Sequence, residues 1–309
     1  MPSHFSRILV TGGKGMLGSS FTRIAKQMFT SAEVLSLGKN ELDVTRFRDV
    51  ESVQRQFKPD LILHCAALVD AERCETEPSL AEEIIFAGTK NLTDTTDKSH
   101  TKLVYPQSFL VYDCKELPIT EQTIANPSFV YGREKLRAEK YVSEHLENYL
   151  TVIMAGFFGG FEKDKNFVGK IIPVILKKIN EQTEVIEIGD RVWQPTFTDD
   201  LASNTLLLAS RGSSKRYCLS SIGESTFAEL ATEVINFLGL PSKIQVKTIP
   251  SDVLAKSEHA KRPHRAIVSN QKSMDEGLCT MRDWKTSLKE YLQSEYFREL
   301  VRKALPEQR

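Results

Sequence analysis

The sequence predicts an α/β fold: a doubly wound parallel sheet with a smaller α/β part packed on it. Three observations carry this. Near-continuous apolar runs alternate with amphipathic segments through the first half, a glycine-rich turn follows the first run, and the rhythm becomes irregular after about residue 156. Apolar runs without polar alternation suit strands buried on both faces, and helices between them supply right-handed crossovers.

The elements follow in order. Arg7–Thr11 reads as the first strand and Leu17–Phe29 as the first helix. Glu33–Leu37 is the second strand, Arg46–Phe57 a helix, and Asp60–Ala66 the third strand. A helix over Leu80–Thr96 leads to a fourth strand at Lys102–Tyr105. The charged amphipathic helix Tyr131–His145 precedes a fifth strand at Leu150–Ala155. Gly156–Lys165, rich in glycine and phenylalanine, is expected to bend as a loop. Helices then follow at Val168–Asn180, Leu201–Ser210, Thr226–Leu238 and Arg282–Lys303, with strands at Glu184–Ile188 and Ile244–Thr248. The larger domain is expected over 1–152, with 184–210 returning to it. The smaller one takes most of 153–309.

Composition narrows the class. At 40% hydrophobic and 27% charged residues, the 309-residue chain has the make-up of a soluble globular enzyme. Lys plus Arg and Asp plus Glu both number 41, and this balance argues against a nucleic-acid binder. No apolar run is long enough to span a membrane. The five cysteines are scattered, with no pair at metal-ligand spacing, so no metal site and no disulfide framework is expected. These features predict a reduced, cytoplasmic protein.

Two motifs carry chemistry. The turn Thr11-Gly12-Gly13-Lys14-Gly15-Met16-Leu17-Gly18 joins the first strand to the first helix. Its glycines allow a tight turn and close backbone approach to a pyrophosphate, which the helix N-terminus attracts. The G-x-x-G-x-x-G spacing points to a Rossmann dinucleotide site of the short-chain dehydrogenase kind. Tyr131 and Lys135 are four apart and share one helix face. An ammonium there is expected to lower the phenol pKa and make Tyr131 a proton exchanger. Ser108 ends the fourth strand, where a hydroxyl can meet a substrate carbonyl, with Gln107 as a neighbouring competitor. His64 and Cys65 read as core residues. Trp193 either lines a pocket or anchors a loop.

With these residues in place the chain resembles the extended short-chain dehydrogenases, and within them the dTDP-4-dehydrorhamnose reductase family. The resemblance runs from T-G-G-K-G-M-L-G (11–18) through E-L-D-V (41–44), K-P-D-L-I-L-H-C-A-A (58–67), E-x-E-P (75–78) and G-T-K-N-L (88–92). It continues in N-P-S-F-V-Y-G-R-E-K (126–135), K-N-F-V (165–168), Q-P-T-F-T-D-D-L-A (194–202), L-S-S-I-G-E-S-T-F-A-E-L-A (219–231) and R-P (262–263). It implies reduction of a keto group, best guessed at C-4, of a nucleotide-activated deoxy-sugar. Tyr131 would be the proton donor, Lys135 the holder of the nicotinamide ribose, and Ser108 the polariser of the keto oxygen. Gly12, Gly15, Met16, Leu17, Asp43, Val44, Ala66 and Ala67 would line the dinucleotide. Asn166, Gln194 and Arg262 would lie near the substrate. A homodimer is compatible with the resemblance and not specified by it.

Three departures stand out. The family's S-T-D-Y-V-F-D-G is Q-S-F-L-V-Y-D-C-K here (107–115), so Phe109 and Leu110 replace a polar pair. Ile85 replaces a usual Asn, and the fifth strand lacks a usual Arg. They leave room for a non-catalytic regulatory relative, while Phe109–Leu110 disfavours a dehydratase. An epimerase on the same scaffold is the other alternative. For the cofactor, the second strand ends Leu35-Ser36-Leu37-Gly38-Lys39 with no carboxylate until Glu41. Lys39 and Lys14 could both meet a 2′-phosphate, so NADP is expected, with NAD as the alternative.

Overall fold

In the computed structural model, which describes residues 5–305 apart from 241, 256 and 257, the five apolar runs form one parallel sheet. They are β1 (Arg7–Thr11), β2 (Glu33–Leu37), β3 (Leu61–His64), β4 (Lys102–Ser108) and β5 (Tyr149–Met154). β1, β3, β4 and β5 are buried on both faces almost throughout, as their unbroken apolar sequences require. A sixth strand, Arg216–Leu219, pairs with β5, and the order across the sheet is Arg216–Leu219, β5, β4, β3, β1, β2. The chain therefore moves outward from β1 to β2 and then crosses back to β3. That reversal opens a crevice at the carboxyl ends of β1 and β3, where open α/β sheets hold their ligands.

Helices cover both faces. Met16–Met28 packs against Thr198–Arg211, with Ser20 donating to Thr198 at 2.9 Å and Arg23 paired to Asp199. One core joins these helices to β1, β3, β5 and Arg216–Leu219. The opposite face is closed by Phe47–Phe57, Gly88–Thr95 and Val130–His145. A separate aromatic-rich core, with Phe158, Trp193, Phe197, Trp284 and Tyr291, holds the second part together.

Some expectations change. The strand expected at 184–188 forms at Val185–Gly189, but it pairs with Gln245–Ile249 and stays out of the large sheet. Within 184–210 it is the Thr198–Arg211 helix that packs on the large sheet's core, and Arg216–Leu219 joins the sheet itself. The helix expected over Leu80–Thr96 is interrupted by a π-helical stretch at Glu82–Ala87, where Ile85 is buried in the core. The helix expected over Arg282–Lys303 divides into Trp284–Leu292 and Glu295–Ala304.

His64, at the end of β3, ties the sheet to the segment after the π turn. Thr89 donates its hydroxyl hydrogen to the Ile85 carbonyl at 2.6 Å, so it accepts from His64 Nε2–H at 3.0 Å. Nδ1 then accepts from the Thr11 hydroxyl at 2.8 Å. The ring is satisfied only when neutral, and burial, with Lys135 nearby, pushes its pKa down to about 3. The unfolded chain takes up a proton below its ordinary value near 6.5, which the folded chain refuses. His64 thus withdraws about 1.4 kcal/mol of stability per pH unit as pH falls from about 6 toward 3. In urea denaturation the stability gap between wild type and His64→Gln is expected to shrink by that amount per unit between pH 6 and 4. A gap independent of pH would contradict the assignment.

Candidate active site

The crevice begins with the glycine turn. Gly12 adopts φ +62°, and a side chain there would stand 2.7 Å from the backbone of Cys65 and Ala66. A side chain on Gly18 would lie 2.3 Å from the Gly12 carbonyl. Turn, helix and β3 thus meet as bare backbone. The Met16–Met28 helix starts at Gly15 with no side chain capping it and no acidic residue in its first turn. Its first amide groups, at Met16 and Leu17, are N-terminal helix donors just after the carboxyl end of β1, of the kind that can hold a phosphate. Ala66 and Ala67 line the β3 side, partly buried. A cradle of this shape, with positive helix end and no carboxylate in the first turn, fits a dinucleotide pyrophosphate.

The segment beyond β2 completes the cradle. Val44 is buried and Asn91 donates to the carbonyls of Val44 and Thr45 at 3.0 and 3.1 Å. Asp43 accepts from the Thr45 amide and hydroxyl; partial burial works against its charge, but these bonds with Lys39 and Arg46 lower its pKa overall. Lys14, expected with Lys39 to meet a 2′-phosphate, is paired with a carboxylate. Its ammonium meets Glu41 at 2.8 Å, and the other Glu41 oxygen accepts from the Gly38 amide at 2.7 Å. A turn returns Glu41 to this place: its amide donates to the Gly38 carbonyl at 3.0 Å. Read linearly, Glu41 seemed too far along to matter.

β4 and the Val130–His145 helix bring Ser108, Tyr131 and Lys135 together. The Ser108 hydroxyl lies close enough to the Tyr131 phenol to favour its ionised form, and it accepts from the Leu110 amide at 3.2 Å. The competitor Gln107 turns the other way, donating to Glu139 at 2.7 Å and to the Lys135 carbonyl at 3.1 Å. Glu75, from the E-x-E-P stretch, accepts from the Val130 amide at 2.5 Å and caps a helix whose own N-cap, Phe129, has no side-chain cap. Sequence reasoning missed this cap because its two ends are 55 residues apart.

The electrostatics differ from expectation. Burial pushes Tyr131 up to about 12 despite the Ser108 hydroxyl nearby, and Lys135 is not among the groups that lower it. Lys135 instead donates to the Pro106 carbonyl at 2.6 Å and sits 3.8 Å from the Tyr105 ring centre. Burial drives its own pKa down to about 7, with Glu139 and Cys65 opposing. Two buried groups in a low-dielectric pocket each favour the neutral form.

The residues expected near the substrate, Asn166, Gln194 and Arg262, come from the second part. Asn166, before the Phe167–Asn180 helix, donates to the Phe157 carbonyl at 2.6 Å. Gln194 is buried, accepting from the Val268 amide at 2.6 Å and donating to the Ser221 carbonyl at 3.4 Å. Trp193 is buried with Phe227 at its edge, and a side chain on Gly156 would strike its ring at 2.5 Å. Arg262 meets Glu72 at 2.7 Å, and Glu72 also receives the amides of His259 and Ala260. Glu258 links Arg262, at 3.7 Å, to Arg191, which it binds through both oxygens at 2.7 and 2.8 Å. This chain of alternating charges ties Glu72 of the first part to the second. Among the described residues, no group of three or more His, Cys, Asp and Glu is placed to hold a metal ion. Nor is any helix among them long and apolar enough to cross a membrane.

Known proteins resemble this chain in sequence and in fold. The chain is 28% identical over 284 residues to a dTDP-4-keto-6-deoxy-D-glucose reductase of Streptomyces niveus, covering 91% of this chain and 95% of that one. It is 26% identical to the methionine adenosyltransferase 2 subunit beta of Xenopus tropicalis, over 66% of this chain and 62% of that one. The crystal structure of dTDP-4-dehydrorhamnose reductase from Bacillus anthracis, in complex with NADP, has the same fold. Its TM-score is 0.81 at 24% identity, covering 93% of this chain and 98% of that one. The model of the RmlD substrate binding domain family matches residues 6–297, and the chain belongs to that family.

Proposed function

We propose that this protein is an NADPH-dependent, cytoplasmic ketoreductase acting at C-4 of a nucleotide-activated 4-keto-6-deoxyhexose. The observation that carries this reading is the Ser108–Tyr131 pair at the carboxyl end of β4, on the same sheet edge as the Gly12–Gly18 turn. The Streptomyces niveus relative supports the sugar by its name, and the Bacillus anthracis structure supports the cofactor. The part before residue 153 would hold the dinucleotide, together with Thr198–Arg211 and Arg216–Leu219, and the rest the nucleotide-sugar.

NADPH, when bound, supplies the hydride. The turn amides at Met16 and Leu17 would hold its pyrophosphate, Ala66, Ala67, Asp43 and Val44 its flanks, and Lys135 its nicotinamide ribose. Ser108 would hydrogen-bond the keto oxygen, and Tyr131 would give that oxygen its phenolic proton. A phenol raised to about 12 is fully protonated at neutral pH, which suits the reduction direction. Asn166, Gln194 and Arg262 are assigned to the substrate side. The Arg262 guanidinium, held by Glu72, suits a diphosphate oxygen.

A second reading is a dinucleotide-binding subunit without its own turnover. Phe109 and Leu110, apolar beside Ser108, favour it, as does the likeness to the Xenopus subunit. The retained Ser108, Tyr131 and Lys135 favour catalysis, since binding alone needs no such set.

Two measurements test the proposal. Tyr131→Phe is expected to lower turnover by about two orders of magnitude or more while leaving NADPH affinity nearly intact. Normal turnover in the variant would refute the proton-donor role. By calorimetry, NADPH is expected to bind more tightly than NADH, with Lys39→Ala narrowing the difference. Equal affinities in wild type would refute the cofactor preference.

A further inference from the structure

The carboxylate that the turn after β2 folds back onto Lys14 has a consequence for cofactor choice. A 2′-phosphate at the end of β2 would draw on donors there, chiefly the Lys14 ammonium, the Lys39 ammonium and the Gly38 amide. Glu41 already engages two of the three: one oxygen meets Lys14 at 2.8 Å, the other the Gly38 amide at 2.7 Å. The Lys14 stem is laid over Gly38, where a side chain would strike its Cδ at 2.7 Å. The ammonium is thereby aimed along β2's end toward Glu41. Glu41 thus occupies the donors as an anion would.

We propose that Glu41 is a specificity-determining residue, a built-in counter-anion that limits how far NADPH outcompetes NADH. The inference rests on the cofactor placement under Proposed function. A carboxylate accepts a hydrogen bond from a ribose 2′-hydroxyl but repels a 2′-phosphate and competes with it for Lys14. Lys39 and Lys14 pull toward the phosphate and Glu41 pulls against it, with Asp43 and Arg46 the other charges close by. The lowered pKa of Glu41, caused first by Lys14 and then by the Gly38 amide, keeps it ionised at neutral pH. The Lys14 and Glu41 side chains are 67% and 42% exposed, so screening by water and salt keeps the effect moderate.

The test is calorimetric titration of NADPH and NADH against wild type, Glu41→Gln and Lys14→Ala. Gln at 41 keeps an oxygen for the Gly38 amide, so the turn is preserved. The NADPH-to-NADH affinity ratio is expected to rise about three- to tenfold in Glu41→Gln and to fall in Lys14→Ala. The rise is expected to shrink at high salt. If both affinities change together in Glu41→Gln and the ratio stays put, Glu41 only caps a turn and the inference is overturned. A wild type that prefers NADH refutes the cofactor preference proposed above, while the change in ratio still decides the role of Glu41.

Discussion

The constraint on which the site depends is the contact of bare backbone between the Gly12–Gly18 turn and the end of β3. With 2.7 Å from a built Gly12 side-chain position to the Ala66 nitrogen, no other residue fits without moving a strand or the turn. That contact fixes where the Met16–Met28 helix begins, and hence where its uncapped amides point. It also places the turn at the reversal of strand order, so that the turn, Ala66 and Ala67 after β3 and the end of β4 lie at the same end of the sheet. His64 braces the same junction from below, linking Thr11 of β1 to Thr89.

Burial sets the second theme. The sheet-to-helix interface that delivers Tyr131 and Lys135 also strips them of water, which raises the phenol and lowers the ammonium. Glu139, held by Gln107 and facing Arg216 at 3.4 Å, is the buried carboxylate that works against the loss of charge on Lys135. Glu75 fixes the start of the same helix. The geometry of the proposed catalytic set, Ser108, Tyr131 and Lys135, is supported by groups outside it.

Much of this was legible in the residues and some was not. Apolar runs without alternation located β1, β3, β4 and β5, because a strand buried twice leaves no polar face. The glycine spacing located the turn for a steric reason that the backbone distances bear out. Arg216–Leu219 is four residues with no periodicity, and its place comes from pairing with β5, which no local pattern encodes. The π stretch at Glu82–Ala87, with Ile85 buried in the core, lies inside a helical pattern whose spacing does not mark it. Glu41 was misjudged by linear distance, since only a turn brings its carboxylate to Lys14. Gln194 meets Ser221 and Val268, 27 and 74 positions away, and Arg262 meets Glu72, 190 positions away, beyond what local reading reaches.

The central claim is that the crevice transfers hydride to a sugar ketone. The most direct measurement incubates purified protein with NADPH carrying deuterium at the transferable position and a panel of nucleotide-activated 4-keto-6-deoxyhexoses. The account predicts NADPH consumption with at least one of them, and deuterium at C-4 of the product by mass spectrometry. Tight NADPH binding with no deuterium transferred to any member of the panel would contradict it and favour the subunit reading.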